Sequence, residues 1–292
     1  MRVVKFPTIR ILPLHNFEEK KLQALLNHPA VQSVLAPFVV ALITAELLQR
    51  LRLSGLAIIA GFIATVYLVS DLSLSPFTTT RKIIWLGIAS SLVGVGLGFL
   101  NWSLWRPVLT VTAGAAAIWI GLRVLQQQPL GIAMQWGIGG ALYLGWIVFW
   151  MDDLHGDSMR AGSAGMALGL GSGAAVLFGG SALLGQFGLS LGAAAGAYLL
   201  IQMISNSRLP CGRSYTLPLS LICGLTASFA VLTTQLPWYA LLPLAAIPLA
   251  VKIPVTEKRA LWVQSLLLTL ATLACAAGAV YLTWRVAGAP SL

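Results

Sequence analysis

Apolar runs of about 20 residues alternate with short polar punctuation along the whole chain after residue 30. An α-helix rising about 1.5 Å per residue needs that length to cross a bilayer core of roughly 30 Å. Ten such runs are legible: 31–49, 54–71, 82–100, 107–124, 130–151, 162–182, 186–205, 216–235, 237–252 and 260–285. Backbone polar groups in lipid must be satisfied within the segment that carries them, so helices fit these runs and open strands do not. The pattern predicts an all-α fold, a polytopic transmembrane helical bundle of about ten spanning helices. Residues 31–286 form a single membrane domain between an N-terminal tail (1–30) and a short C-terminal tail (287–292). Pro237, Pro243, Pro248 and Pro254 interrupt the ninth run. They predict a kinked or half-membrane segment whose freed carbonyls a neighbour, a hydroxyl or water must satisfy.

Residues 16–30 place Phe17, Leu22, Leu25 and Leu26 opposite Glu18, Glu19, Lys20 and Lys21. This pattern fits an amphipathic interfacial helix or the polar first turns of a long first helix. Pro7 and Pro13 break the opening residues, which hold no apolar core long enough for a secretory signal, so the mature chain is expected to start at Met1. Eight of the ten Trp (Trp85, Trp102, Trp105, Trp146, Trp150, Trp238, Trp262 and Trp284) fall near predicted span ends, where amphipathic rings sit at head-group level.

Composition fits the same picture. Apolar residues make up 58% of the 292 positions and charged residues 9%, with mean hydropathy +0.87. A soluble domain is about 45–50% apolar and about 25% charged, so so few charges would leave this surface uncovered in water. Disordered, collagenous, coiled-coil and disulfide-stapled classes are excluded. The formal charge of +10 is assigned to helix ends, where basic residues set orientation and meet anionic head groups. It is not assigned to nucleic acid, because no basic cluster lies within a soluble fold. Cys211, Cys223 and Cys275 make no ligand cluster. The last two lie in apolar runs as small hydrophobes, and Cys211 sits in a loop.

With ten spans, Arg50, Arg52, Arg106, Arg160, Arg208, Arg213, Lys252, Lys258 and Arg259 share one side. Lys20, Lys21, Arg81, Lys82, Arg123 and Arg285 are the basic residues near spans on the other. The larger set favours that side as cytoplasmic, with both termini outside. The run 54–69 echoes 163–178, the only hint of an internal repeat, and shared small-residue composition accounts for it equally well.

The most specific pattern is a pair of glycine stripes at every fourth residue, Gly165, Gly169 and Gly173 followed by Gly188, Gly192 and Gly196. Helices in lipid have no hydrophobic drive to associate, and such stripes predict close packing between them. Glu46 is the carboxylate placed within a span, four residues before Arg50. It fits an interfacial ion pair or a proton or cation site. Gln135 and Gln186 are the amides chosen as candidates to line a substrate path, interhelical hydrogen bonding being the other use of such groups.

Asp152, Asp153, His155 and Asp157 close the fifth span and hold three of the four Asp in the chain. Carboxylates with water suit Mg²⁺ or Mn²⁺, and the imidazole adds transition metals, so the four are candidate metal ligands. A solvated polar loop is the other reading. The Asp-Asp-x-x-x-Asp spacing over Asp152, Asp153 and Asp157 resembles the aspartate-rich element of membrane prenyltransferases, which implies diphosphate binding through Mg²⁺. The chain departs from that family in lacking a second such element, since Asp71 is its remaining Asp.

No H-E-x-x-H, G-x-S-x-G or P-loop pattern occurs. His15 and His28 precede the spans and His155 lies in a loop, so paired haem ligation within the membrane is excluded. No cofactor is expected. The span count is similar to that of drug/metabolite-type transporters. The leading expectation is a small-molecule secondary transporter or permease in a bacterial inner membrane. The alternatives are a non-catalytic membrane subunit, scaffold or assembly factor, and a metal-dependent enzyme on lipid-linked substrates. Expected partners are membrane lipid and a protein partner or second copy, with no nucleic acid.

Overall fold

The computed structural model describes residues 28–70, 78–100, 104–255 and 260–288. Among them the chain forms ten helices and no strand: α1 (Val31–Leu51), α2 (Ser54–Val69), α3 (Thr79–Gly98), α4 (Trp105–Leu125), α5 (Leu130–Asp152), α6 (Ser158–Phe178), α7 (Ala182–Ser205), α8 (Arg213–Thr233), α9 (Trp238–Ala250) and α10 (Leu261–Ala287). Eight are long and apolar enough to cross a membrane, whereas α2 and α9 are shorter, about 24 and 20 Å by helical rise. The protein is an integral membrane protein with an all-α helical bundle. The amphipathic segment expected over 16–30 lies outside the described residues except for its last three positions, as do Asp71, Trp102, Lys258 and Arg259.

Local chemistry explains the helix ends and irregularities. The ring of Pro37 clashes with an ordinary helical turn before it. The first turn of α1 widens to a π-helix over Val31–Leu35, with the Ala36 N–H bonding the Val31 carbonyl five residues back. Asp157 caps α6 by accepting from the N–H groups of Met159 and Arg160, each at 3.2 Å. Asn206 ends α7 in the left-handed region at φ 48°, a conformation Asn tolerates better than most residues. In α9, the Trp146 indole of α5 donates to the Ala245 carbonyl at 3.0 Å, one turn before Pro248. A neighbouring helix thus supplies a donor next to the proline break.

Helices α6, α7 and α8 form the centre, with 72%, 72% and 78% of their apolar windows buried against 22–39% for the other long helices. A Cβ built on Gly169 would lie 2.3 Å from the Gly192 nitrogen, and one on Gly173 would lie 2.4 Å from the Leu189 nitrogen. The α6–α7 backbones therefore touch where Gly169, Gly173, Gly188 and Gly192 carry no side chain. Gly165 instead faces Tyr215 and Leu219 of α8, and Gly196 has ordinary room beside Met166. Two buried hydroxyls bridge helices of the same centre. Ser158 Oγ donates to Gln202 Oε1 at 2.7 Å between α6 and α7, and Thr269 Oγ1 donates to Ser163 Oγ at 3.2 Å between α10 and α6. Phe62 of α2 meets Phe187 of α7 edge-on at 5.2 Å, and Tyr198 of α7 lies 4.7 Å from Tyr215 of α8.

Successive helices reverse direction, so the turns after α1, α3, α5, α7 and α9 share one end. Ser54 Oγ donates to the Pro210 carbonyl there at 2.7 Å, and Gly212 N–H donates to the His155 carbonyl at 3.1 Å. At the opposite end Gln235 N–H reaches the Gly179 carbonyl at 2.9 Å. Arg50, Arg52, Arg106, Arg160, Arg208, Arg213 and Lys252 all lie at the first end, which is called the polar end below.

Gly173→Val forces apart the α6–α7 backbones and is expected to cost about 1–3 kcal/mol, whereas Gly96→Ala, with nothing within 4 Å of its new Cβ, is expected to be neutral. Thermal unfolding of the two purified variants in detergent checks this, and equal stability contradicts it.

Candidate functional site

Glycine also makes space in the bundle. Gly121 of α4 and Gly137, Gly139 and Gly140 of α5 carry no side chains where α4, α5, α8 and α9 converge toward the end opposite the polar one. The result is a cavity of about 460 Å³. Buried Ile120, Gly121, Tyr143 and Ser228 form its inner wall, and exposed Gln135, Gly139, Trp238 and Leu242 mark its open side. Gln135, Gly139 and Tyr143 recur at every fourth residue and so share one side of α5. Tyr143 stands about 20 Å from the start of its helix, near the middle of the bundle. The lining is aliphatic and aromatic, with Gln135, Tyr143, Ser228 and the indoles of Trp136 and Trp238 as its polar groups. Just beyond Tyr143 the Trp146–Ala245 hydrogen bond ties α5 to α9.

The same four helices are joined at the polar end by ion pairs. Asp152, at the last position of α5, accepts from Arg213 of α8 through both oxygens, at 2.8 and 3.3 Å, with side chains 5% and 16% exposed. Such bidentate geometry makes this the strongest of the pairs. Asp153 faces two cations: Arg106 of α4 at 2.8 Å, and Lys252 at the end of α9. Arg106 also donates to the Phe149 carbonyl at 3.1 Å and lies 3.6 Å over the Phe149 ring, while Lys252 sits 4.1 Å over Trp150. The Lys252 hydrogen bond, helped by the Arg106 charge, holds the Asp153 carboxyl below the usual range. A lowered carboxyl pKa contributes stability above the ordinary carboxylate range and loses it as pH falls through the lowered value. The Asp153 pairs therefore persist through neutral pH.

The residues singled out in the sequence thus separate. Gln135 lines the cavity. Gln186 is half-buried in the first turn of α7, away from it. Glu46 is exposed on the outside of α1 and accepts from Gln49 at 3.0 Å. Among the described residues it forms no ion pair with Arg50. Asp152, Asp153 and Asp157 each turn to a different partner, Asp157 to the cap of α6 and to Arg160 at 3.2 Å. His155 Nδ1 meets the Asp152 carbonyl. No three His, Cys, Asp or Glu among the described residues converge as a metal site. Cys211 is buried, and burial together with the Asp157 charge pushes its thiol far up, which leaves little reactive thiolate.

Sequence reasoning missed Arg106 and Lys252 as partners of Asp153, and Tyr143 and Ser228 as cavity residues. The fourfold spacing of Gln135, Gly139 and Tyr143 was the available signal for the cavity. The chain matches no protein-family model and no curated protein.

Asp152→Asn leaves the Arg213 guanidinium without its counter-charge and is expected to destabilise the bundle by about 3 kcal/mol. Denaturation of the purified variant beside the parent measures this, and an unchanged midpoint would remove the pair from the account.

Proposed function

We propose that the protein is a secondary transporter of a small molecule, seated in a bacterial inner membrane with its polar end toward the cytoplasm. One observation carries the reading. The four helices that wall the cavity at one end are the four that ion pairs close at the other. A carrier needs a central site open to one side at a time, with movable walls around a fixed frame. In this reading α6, α7 and α8 are the frame, because the α6–α7 backbone contacts leave no room to slide and α8 packs on them through Tyr215 and Leu219. Helices α4, α5 and α9 move against it. The short, proline-containing α9 is the most easily bent of these walls. The arrangement corresponds to a state open on the cavity side and closed on the polar side.

Short loops and a bundle without a large extramembrane domain among the described residues support the inner-membrane placement. The gathering of basic side chains at the polar end supports the orientation.

The test uses Gly140→Cys in a chain whose three native cysteines are replaced, reconstituted in liposomes and labelled with a membrane-impermeant maleimide from each side. Gly140 lines the cavity with room for a Cβ. Labelling is expected from the cavity side in the parent, and from the polar side as well once Asp153→Asn and Lys252→Ala open the clamp. The polar-side rate should rise on the order of tenfold, equivalent to about 1.4 kcal/mol removed from the closed state. Unchanged one-sided labelling in the clamp variants would contradict transport and favour a static membrane subunit.

A further inference from the structure

We propose that the cavity between α4, α5, α8 and α9 takes an uncharged, largely apolar molecule carrying a hydrogen-bonding group, which deepens the transport reading and rests on the same site. The volume of about 460 Å³ falls within the roughly 300–1,000 Å³ of small-molecule pockets. Among the described residues no Asp, Glu, Lys, Arg or His lines it, so a charged ligand would leave water without meeting a counter-charge there. The ion pairs among the described residues lie at the polar end, engaged with one another. The walls offer instead two indoles, Trp136 and Trp238, and aliphatic surface from Ile120, Leu232 and Leu241.

A second observation points to the polar group of that ligand. Tyr143 closes the inner end with its ring, while its hydroxyl is buried away from the cavity space. On the inner wall Ser228 donates to the Leu225 carbonyl at 3.2 Å, which leaves its oxygen free to accept. Gln135 brings an amide to the open side, two turns and about 12 Å along α5 from Tyr143. The site therefore recognises an apolar body between aromatic walls, a hydrogen-bonding group at its inner end, and no charge. Two sources supply such chemistry: a neutral lipid from the bilayer, and a neutral aromatic molecule arriving from water.

The experiment titrates the full chain in nanodiscs with N-phenyl-1-naphthylamine, and in parallel with 8-anilino-1-naphthalenesulfonate, the same ring system bearing a charge. Empty discs of the same lipid are the blank. The neutral dye is expected to show a saturable component near one per chain, and the sulfonate a component at least about tenfold weaker. Gly139→Leu should abolish the saturable component. Nothing lies within 4 Å of the Cβ position at Gly139, so the larger side chain fills the cavity without disturbing the fold. Ser228→Ala should weaken binding severalfold while leaving thermal stability unchanged, because the hydroxyl bonds only within its own helix. Intact-protein mass spectrometry from the same discs separates the sources. A neutral lipid retained in the parent and absent in Gly139→Leu assigns the occupant to the bilayer, and a bare chain that binds the dye assigns it to water. Dye uptake no greater than in empty discs, equal binding of the sulfonate, or a retained anionic lipid removed by Gly139→Leu would each overturn the proposal. Because these are equilibrium measurements, neutral-ligand binding without two-sided labelling of Gly140→Cys leaves a binding site without transport, and the reverse leaves a carrier of a different ligand.

Discussion

The bundle depends on the contact between α6 and α7, where two helical backbones meet with no side chain between them. In water, apolar faces would drive such helices together, but in lipid the tails are as apolar as the helices. Close van der Waals approach has to supply the attraction, and Gly169, Gly173, Gly188 and Gly192 permit it. Helix α8 then closes against this pair through Tyr215, Leu219 and the Tyr198–Tyr215 contact. The other helices form an outer layer whose long members are mostly exposed to the surroundings. A centre this dense has little capacity for a site, and the cavity lies at its edge, where one wall belongs to the frame and three belong to the outer layer.

Scarcity of charge shapes the other half of the molecule. Carboxylates and cations are costly in a membrane, and here they meet at helix ends. Asp152 and Asp153 close α5 and between them reach α4, α8 and the end of α9. Among the described residues the ion pairs that join the cavity's walls are therefore confined to one end. An asymmetry of this kind allows the walls to part at one end while they remain joined at the other.

The ten helices were legible because a bilayer imposes a length and an apolarity that few other folds share, and glycine spacing marked the helices of the centre. The ninth helix was read as broken from its prolines. What the prolines did not reveal is that Trp146, ninety-nine positions from Ala245, supplies a donor next to the break. The acidic run after α5 was conspicuous, yet its partners were not, since Arg106 and Lys252 lie 47 and 99 positions from Asp153. Long-range pairs of this sort leave no periodic trace. Two carboxylates adjacent in sequence point to different helices once the chain turns, so a spacing that suits a metal on paper becomes a pair of clamps in three dimensions. The cavity was half legible: Gln135 stood out as a polar residue in an apolar run, whereas Tyr143 looked like any buried aromatic.

The central claim is that the cavity's walls move against a fixed frame. Its most direct test is the distance between spin labels on Gln127→Cys, just beyond α4, and Leu242→Cys on α9, measured by pulsed electron paramagnetic resonance in lipid with the native cysteines replaced. The account predicts two resolved distances across the mouth, with the shorter one enriched when the site is occupied. A single narrow distance that no occupant of the cavity changes would contradict it.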